Sequence, residues 1–258
     1  MDSILDIPAY LDRIQYRGSI IPSPATLRNL QLAHLLNVPF ENLSIHYSEP
    51  IVLDDAALFD KIVTRWRGGF CYELNGLFAA LLRGLGFEVR KLSARVANAA
   101  GVFGPDFDHM TLLVQLDEPW LADVGFGDSF RVPLRLNETG DQVQGERSYR
   151  IGAQEDRLLM WQREQEQDWK PQYSFTLDSF EYPDYSGMCH FHQTSPDSHF
   201  TRARVCTRAT PRGRVTLSDL RLITTEAGQR NERMLANEEE YAQVLYDEFG
   251  VRIAGVKS

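Results

Sequence analysis

One run, Arg67-Gly68-Gly69-Phe70-Cys71-Tyr72-Glu73-Leu74-Asn75, constrains the fold of this chain more than any other, because it passes from a glycine pair into a helix with a cysteine at the junction. From there Leu74, Leu77, Phe78, Leu81 and Leu82 recur at helical spacing and stop at Gly84 and Gly86, which predicts an amphipathic helix with a glycine exit. Cys71 then falls in the first turn. Free backbone amides and the positive end of the helix dipole favour a thiolate there, and can bring a thiol pKa from about 8.5 toward neutrality or lower. Two readings of Cys71 stand on this segment alone: a nucleophile, or a small buried apolar residue.

A thiol nucleophile needs a base within hydrogen-bond reach, and the base needs an acceptor that fixes its tautomer. Of six histidines, His109 opens the apolar run Met110-Thr111-Leu112-Leu113-Val114-Gln115-Leu116, which reads as a buried strand entered from the loop around Gly101 and Gly104. A second short apolar strand, Trp120-Leu121-Ala122-Asp123-Val124-Gly125-Phe126-Gly127, carries a carboxylate in its middle. Asp123 would be costly to bury unpaired, and a neighbouring imidazole would satisfy it. Asp108 and Asp106 are weaker candidates, because successive strand residues face opposite ways and a loop aspartate is normally solvated. Taken singly, His109 also fits a structural histidine, and Asp123 a turn-stabilising residue.

The cysteine segment, His109-Met110 and Asp123-Val124-Gly125-Phe126-Gly127 resemble, in order, three signature segments of the arylamine N-acetyltransferases. Val38-Pro39-Phe40-Glu41-Asn42-Leu43 resembles the family's Pro-Phe-Glu-Asn element, and the similarity in layout covers nearly the whole chain. The resemblance implies a papain-like core in which Cys71 accepts the acetyl group, His109 moves the proton and Asp123 holds His109. It implies acetyl-coenzyme A as donor and arylamines, arylhydrazines or arylhydroxylamines as acceptors, by a ping-pong route through acetyl-Cys71. Phe40, Phe126 and Phe200 match positions that line the family's acceptor pocket, and the turn with Gly125, Gly127 and Ser129 is a candidate for the coenzyme channel. Phe200 also fits ordinary core. Within the family, a polyketide amide synthase uses the same triad; outside it, a cysteine hydrolase or transglutaminase-like enzyme does, and a non-enzymatic binding module would make the triad a coincidence.

The net charge of −9 argues against general affinity for nucleic acid or anionic membrane, and no apolar run is long enough to span a bilayer. Met1-Asp2-Ser3-Ile4-Leu5-Asp6 lacks the pattern of a secretion signal, and three cysteines without metal spacing fit a reducing compartment, so a cytoplasmic monomer or homodimer is expected. No metal is expected: His190, His192 and Cys189 lie in Asp184–Pro196, read as a loop with no second ligand cluster.

The expected fold is α+β. An N-terminal helical bundle (1–85) carries Cys71; its helices centre on Tyr10, Leu11 and Ile14, on Leu27, Leu30 and Leu35, and on Leu58, Ile62 and Val63. A central antiparallel barrel or sheet (86–195) carries His109 and Asp123, with strands at Val89–Val96, His109–Leu116, Ser148–Ile151 and Leu158–Trp161. A C-terminal α/β lid (196–258) begins with a strand over Phe200–Val205, holds Arg202, Arg204 and Arg208 as phosphate candidates, and ends in a helix started by Asn237 and Glu240.

Overall fold

Side-chain caps set the first helices in the computed structural model, which describes residues 5–253. α1 (Ile7–Arg13) starts at Asp6, whose carboxylate accepts from the Ala9 N–H, and α2 (Pro24–Asn37) at Ser23, whose hydroxyl accepts from the Thr26 N–H. After strand β1 (Phe40–Glu41) and α3 (Leu43–His46), α4 (Asp55–Phe59) is capped by Asp54 and runs into a π-helical turn over Asp60–Thr64. α5 (Cys71–Gly84) begins at the cysteine. Phe70 offers no capping side chain, so Glu73 reaches back and accepts from the Phe70 N–H at 3.1 Å. α5 is buried along most of its length, with Leu74, Leu77, Phe78, Leu81 and Leu82 in one core with Tyr10, Ile14, Leu27 and Leu30.

An eight-stranded antiparallel sheet follows: β2 (Glu88–Val96), β3 (His109–Gln115), β4 (Pro119–Ala122), β5 (Leu134–Arg135), β6 (Gln142–Gln144), β7 (Arg147–Gln154), β8 (Arg157–Glu164) and β9 (Lys170–Phe175), in the order β5-β4-β3-β2-β9-β8-β7-β6. Its two ends meet through side chains. Gln142 accepts from the Arg135 N–H at 2.8 Å and donates to the Arg135 carbonyl at 3.0 Å, while Gln144 accepts from the Val132 N–H at 3.0 Å and donates to its carbonyl at 2.7 Å. These amides stand in for a backbone ladder and draw the sheet into a nearly closed barrel. Alternation on β3 divides the cores: Leu112 and Val114 pack with the helices, and Leu113 packs inside with Leu92, Phe130, Tyr149 and Tyr173.

The remainder comprises α6 (Tyr182–Thr194), a 3₁₀ turn over His199–Thr201, β10 (Val205–Thr210), β11 (Gly213–Ser218), β12 (Arg221–Glu226), β13 (Gln229–Met234) and α7 (Glu238–Phe249). Three sequence expectations change here. Most of Asp184–Pro196 is helix, because the Asp184 carboxylate accepts from the Glu181 N–H at 2.8 Å and starts α6. Phe200–Val205 is no continuous strand: the Ser198 hydroxyl accepts from the Phe200 N–H and curls the chain before β10, leaving Arg202 off the strand. Between its first strand and its last helix the C-terminal region also holds an unexpected hairpin of β12 and β13, whose outer strand is exposed and polar and so lacks an apolar pattern.

The N-terminal segment is woven into this sheet, whose order is β1-β10-β11-β12-β13. Phe40 pairs with Thr207 and Glu41 with Cys206, while α7 packs Tyr241, Leu245 and Phe249 against Cys206, Leu217 and Leu222. On its other side β1 touches the glycine pair, with the Glu41 N–H donating to the Gly69 carbonyl at 2.9 Å. A Cβ on Gly68 would fall 1.9 Å from the Pro39 carbonyl oxygen, so only glycine lets these two segments meet. No helix among the described residues is long and apolar enough to cross a membrane.

Candidate active site

Four buried charges hold the start of α5. Arg67 pairs with Glu41 at 2.8 Å and Lys61 with Glu73 at 2.6 Å, and Arg67 also reaches Glu49 at 3.1 Å. Burial pushes the Glu41 carboxyl up, but the charges of Lys61 and Arg67 and the Leu43 N–H outweigh it and hold the group below its ordinary value. An unpaired member of such a cluster is expensive, so the pairing fixes the loop from Arg67 to Phe70.

Burial dominates at Cys71. It pushes the thiol well above its ordinary value, the Met110 backbone N–H works against it, and the charges of Asp108, Asp123 and Cys189 add to it. The helix start alone therefore does not make this thiol acidic, contrary to the expectation from the dipole. A thiolate here needs a cation beside it.

His109 stands at the start of β3, opposite Ala94 of β2, and both its ring and Asp123 are buried. The Asp123 Oδ2 lies 2.7 Å from His109 Nε2 and accepts from the Tyr173 hydroxyl at 3.2 Å. Its Oδ1 accepts from the Asn75 side-chain amide at 2.8 Å and from the Gly125 N–H at 2.8 Å. Burial pushes the Asp123 carboxyl up, but the His109 charge and these donors hold it below its ordinary value of 3.8. With Nε2 engaged, Nδ1 is the free nitrogen of His109. Asp123 lies just past the end of β4 rather than in mid-strand, and that break allows its carboxylate to turn toward His109. The turn then runs against the cysteine: a Cβ on Gly125 would come within 2.8 Å of the Cys71 Cα and 2.7 Å of the Asn75 amide nitrogen.

Aromatic rings surround this centre. The Phe126 ring meets His109 edge-on at 5.1 Å, and Phe40 and Phe200 are 6.1 Å apart, each packed with the cluster that holds Cys71, Tyr72 and Met110. Ser129 and Asp128 line a cleft of about 1130 Å³ together with Arg131, Arg147 and Arg214. Arg147 donates to Asp128 at 2.7 and 3.0 Å, and Arg214 lies 3.1 Å from the same carboxylate. Burial holds the Arg131 and Arg214 guanidiniums below their ordinary values, whereas the Asp128 bonds raise Arg147. Gly125 and Gly127 sit at the other end of the turn, beside Cys71 and Phe40. Arg204 and Arg208 are used elsewhere, in pairs with Glu238 and with the Leu36 and Glu248 carbonyls.

Sequence reasoning passed over three contributors. Asn75 carries a signal of its own, since its i+4 spacing from Cys71 puts it on the same helix face. Tyr173 carried no local signal. Asp108 is not simply solvated: its Oδ1 lies 3.2 Å from Nε2 of buried His192, which stacks on Tyr72. Among the described residues no group of His, Cys, Asp and Glu is arranged to hold a metal ion.

A family model described as N-acetyltransferase matches residues 24–257. An arylamine N-acetyltransferase / N-hydroxyarylamine O-acetyltransferase of Salmonella typhimurium is 34% identical over 96% of this chain and 90% of its own length. The arylamine N-acetyltransferase of Mycobacterium marinum in complex with CoA superposes with a TM-score of 0.88 at 32% identity, covering 98% of this chain and 95% of that one. Proansamycin X synthase of Amycolatopsis mediterranei is 30% identical over 94% of this chain and 96% of its own length.

Proposed function

This chain belongs to the arylamine N-acetyltransferase family, and from that premise we propose that Cys71, His109 and Asp123 carry acetyl from acetyl-coenzyme A to an aromatic nitrogen by way of the cysteine. The acetyl transfer itself follows from the family; the residues and the route are our reading. The observation that carries it is the Asp123 carboxylate, buried and met by four donors, on the far nitrogen of a buried His109.

That bond leaves His109 Nδ1 to take the Cys71 proton, forming a thiolate–imidazolium pair. Asp123 stabilises the imidazolium without taking its proton. The ion pair answers the burial that otherwise keeps the thiol protonated. The thiolate attacks the thioester carbonyl, the coenzyme thiolate leaves with the His109 proton, and acetyl-Cys71 remains. An amine nitrogen then attacks acetyl-Cys71, His109 takes its proton, and the cysteine is released. The Cys71 backbone N–H at the helix start is the donor we assign to the developing oxyanion. Phe40, Phe126 and Phe200 form the apolar slot for the aryl ring. The backbone from Gly125 to Gly127, packed close against Cys71, walls the path of the pantetheine end, and Ser129 with Arg131, Arg147 and Arg214 receives the nucleotide phosphates, for which bidentate guanidiniums are suited. Functionally, 1–85 supplies the nucleophile, 86–195 the base and acid, and 196–258 the cleft's second wall. We assign the enzyme to the cytoplasm.

The similarity to proansamycin X synthase favours one second reading, a polyketide amide synthase that acylates Cys71 from a different donor. Initial rates with acetyl-coenzyme A and an arylamine varied together decide the matter. Parallel double-reciprocal lines support the proposal; intersecting lines refute the acetyl-cysteine route, and no turnover with any arylamine or arylhydrazine supports the amide synthase.

A further inference from the structure

Asn75 is fully buried and uses its side-chain amide completely. Its nitrogen donates to the Met110 carbonyl at 2.6 Å and to Asp123 Oδ1 at 2.8 Å, and its oxygen accepts from the Val124 N–H at 2.8 Å. It stands one turn after Cys71 on α5, so this one side chain ties the cysteine's helix to the start of β3 and to the turn after β4. The grip on Asp123 is the one that bears on the thiol, because Asp123 is the partner of His109. We propose that Asn75 is a positioning residue that sets the thiolate–imidazolium equilibrium, by aiming Asp123 at His109 and by pinning the turn after β4 to the helix that carries Cys71.

A buried carboxylate rotates toward whatever donors it finds, and Asp123 has two on each oxygen. Removing the Asn75 donor leaves Oδ1 with the Gly125 N–H alone, and leaves the Met110 carbonyl and Val124 N–H unpartnered in a dry site. The carboxylate is then free to turn, and the imidazolium loses the fixed anion that stabilises it. Packing alone predicts a different result, namely lower stability with an unchanged thiol. This inference rests on the reading of Cys71, His109 and Asp123 given above.

The test is the pH dependence of Cys71 alkylation by iodoacetamide, followed by intact-protein mass, in the wild type, Asn75→Leu, Asn75→Asp and Leu77→Ala. Leu77 is a buried core residue of the same helix without polar contacts, so its variant reports packing loss. Asn75→Asp retains shape and the acceptor for Val124 but places an acceptor against Asp123. The expected result is an upward shift of the alkylation midpoint by about one pH unit in both Asn75 variants, equivalent to about a tenfold loss of thiolate below the midpoint. Leu77→Ala should unfold at lower temperature with the wild-type midpoint. If Asn75→Leu does not fold, Asn75→Asp decides alone. Midpoints of folded Asn75 variants that match the wild type overturn the inference, whereas a wild type that fails to form acetyl-Cys71 overturns the earlier reading instead.

Discussion

Asp108 and His109 are neighbours in the chain, yet each belongs to a different histidine–aspartate pair. His109 faces Asp123 at 2.7 Å, and that carboxylate is met by Tyr173, Asn75 and Gly125 as well. Asp108 faces His192 at 3.2 Å, but the His192 Nε2 has no partner in hydrogen-bond geometry. Both imidazoles are buried, so burial does not distinguish the pairs. The number of fixed donors does. A carboxylate held from several directions presents one oxygen at one angle, which is what a proton-transfer partner requires; a loosely held one supplies only charge.

The comparison is broken most severely by exchanging the acids. Asp123→Asn should lower kcat/KM by about 10³- to 10⁴-fold by stabilising the wrong His109 tautomer, with Cys71→Ala losing transfer altogether. Steady-state assays check both, and an Asp123→Asn enzyme with more than a tenth of normal activity contradicts the assignment.

A middle effect belongs to the arginine cleft, which should act on binding and leave the chemistry alone. Arg214→Gln should raise KM for acetyl-coenzyme A about tenfold, the worth of one charge-assisted bond, with little change in kcat at saturation. An unchanged KM would place the phosphates elsewhere.

The smallest kinetic effect should come from Asp108→Asn. Its charge pushes the Cys71 thiol up, so removing it should speed iodoacetamide alkylation near neutral pH about two- to threefold while acetyl transfer stays within a similar factor. A collapse of activity comparable to that of Asp123→Asn would make the two pairs equivalent and defeat the comparison.

Acid sharpens it on the stability side. Asp123 is held below its ordinary 3.8, so the stability it contributes is complete above that value and is lost as the pH falls through the lower folded value. Asp123→Asn should therefore narrow its stability gap to the wild type below about pH 4, as followed by denaturant midpoints across the acid range.

Much of this was legible in the sequence because it is local. The glycine pair, the cysteine and the leucine spacing place Cys71 at the first position of α5, and the apolar run after His109 gives β3. Asp108 lies in the bend before β3, so it is that bend and not strand alternation that parts it from His109, and the departure of Asp123 from β4 was not visible, since Asp-Val-Gly continues a strand pattern as well as it ends one. Contacts between distant segments left no trace. Tyr173 reaches Asp123 from β9, the Gln142 and Gln144 side chains complete the barrel, and β1 joins the C-terminal sheet across more than half the chain. The thiol departs from the sequence expectation for a related reason: a helix dipole can be inferred from one segment, whereas the burial that outweighs it is made by several.

The acetyl-cysteine is the point on which the account depends most directly. Intact-protein mass spectrometry after incubation with acetyl-coenzyme A and no amine, beside Cys71→Ala, should show one acetyl adduct on the wild type that vanishes on adding an arylamine, and none on the variant. An unmodified wild type, or an adduct that persists in Cys71→Ala, would contradict it.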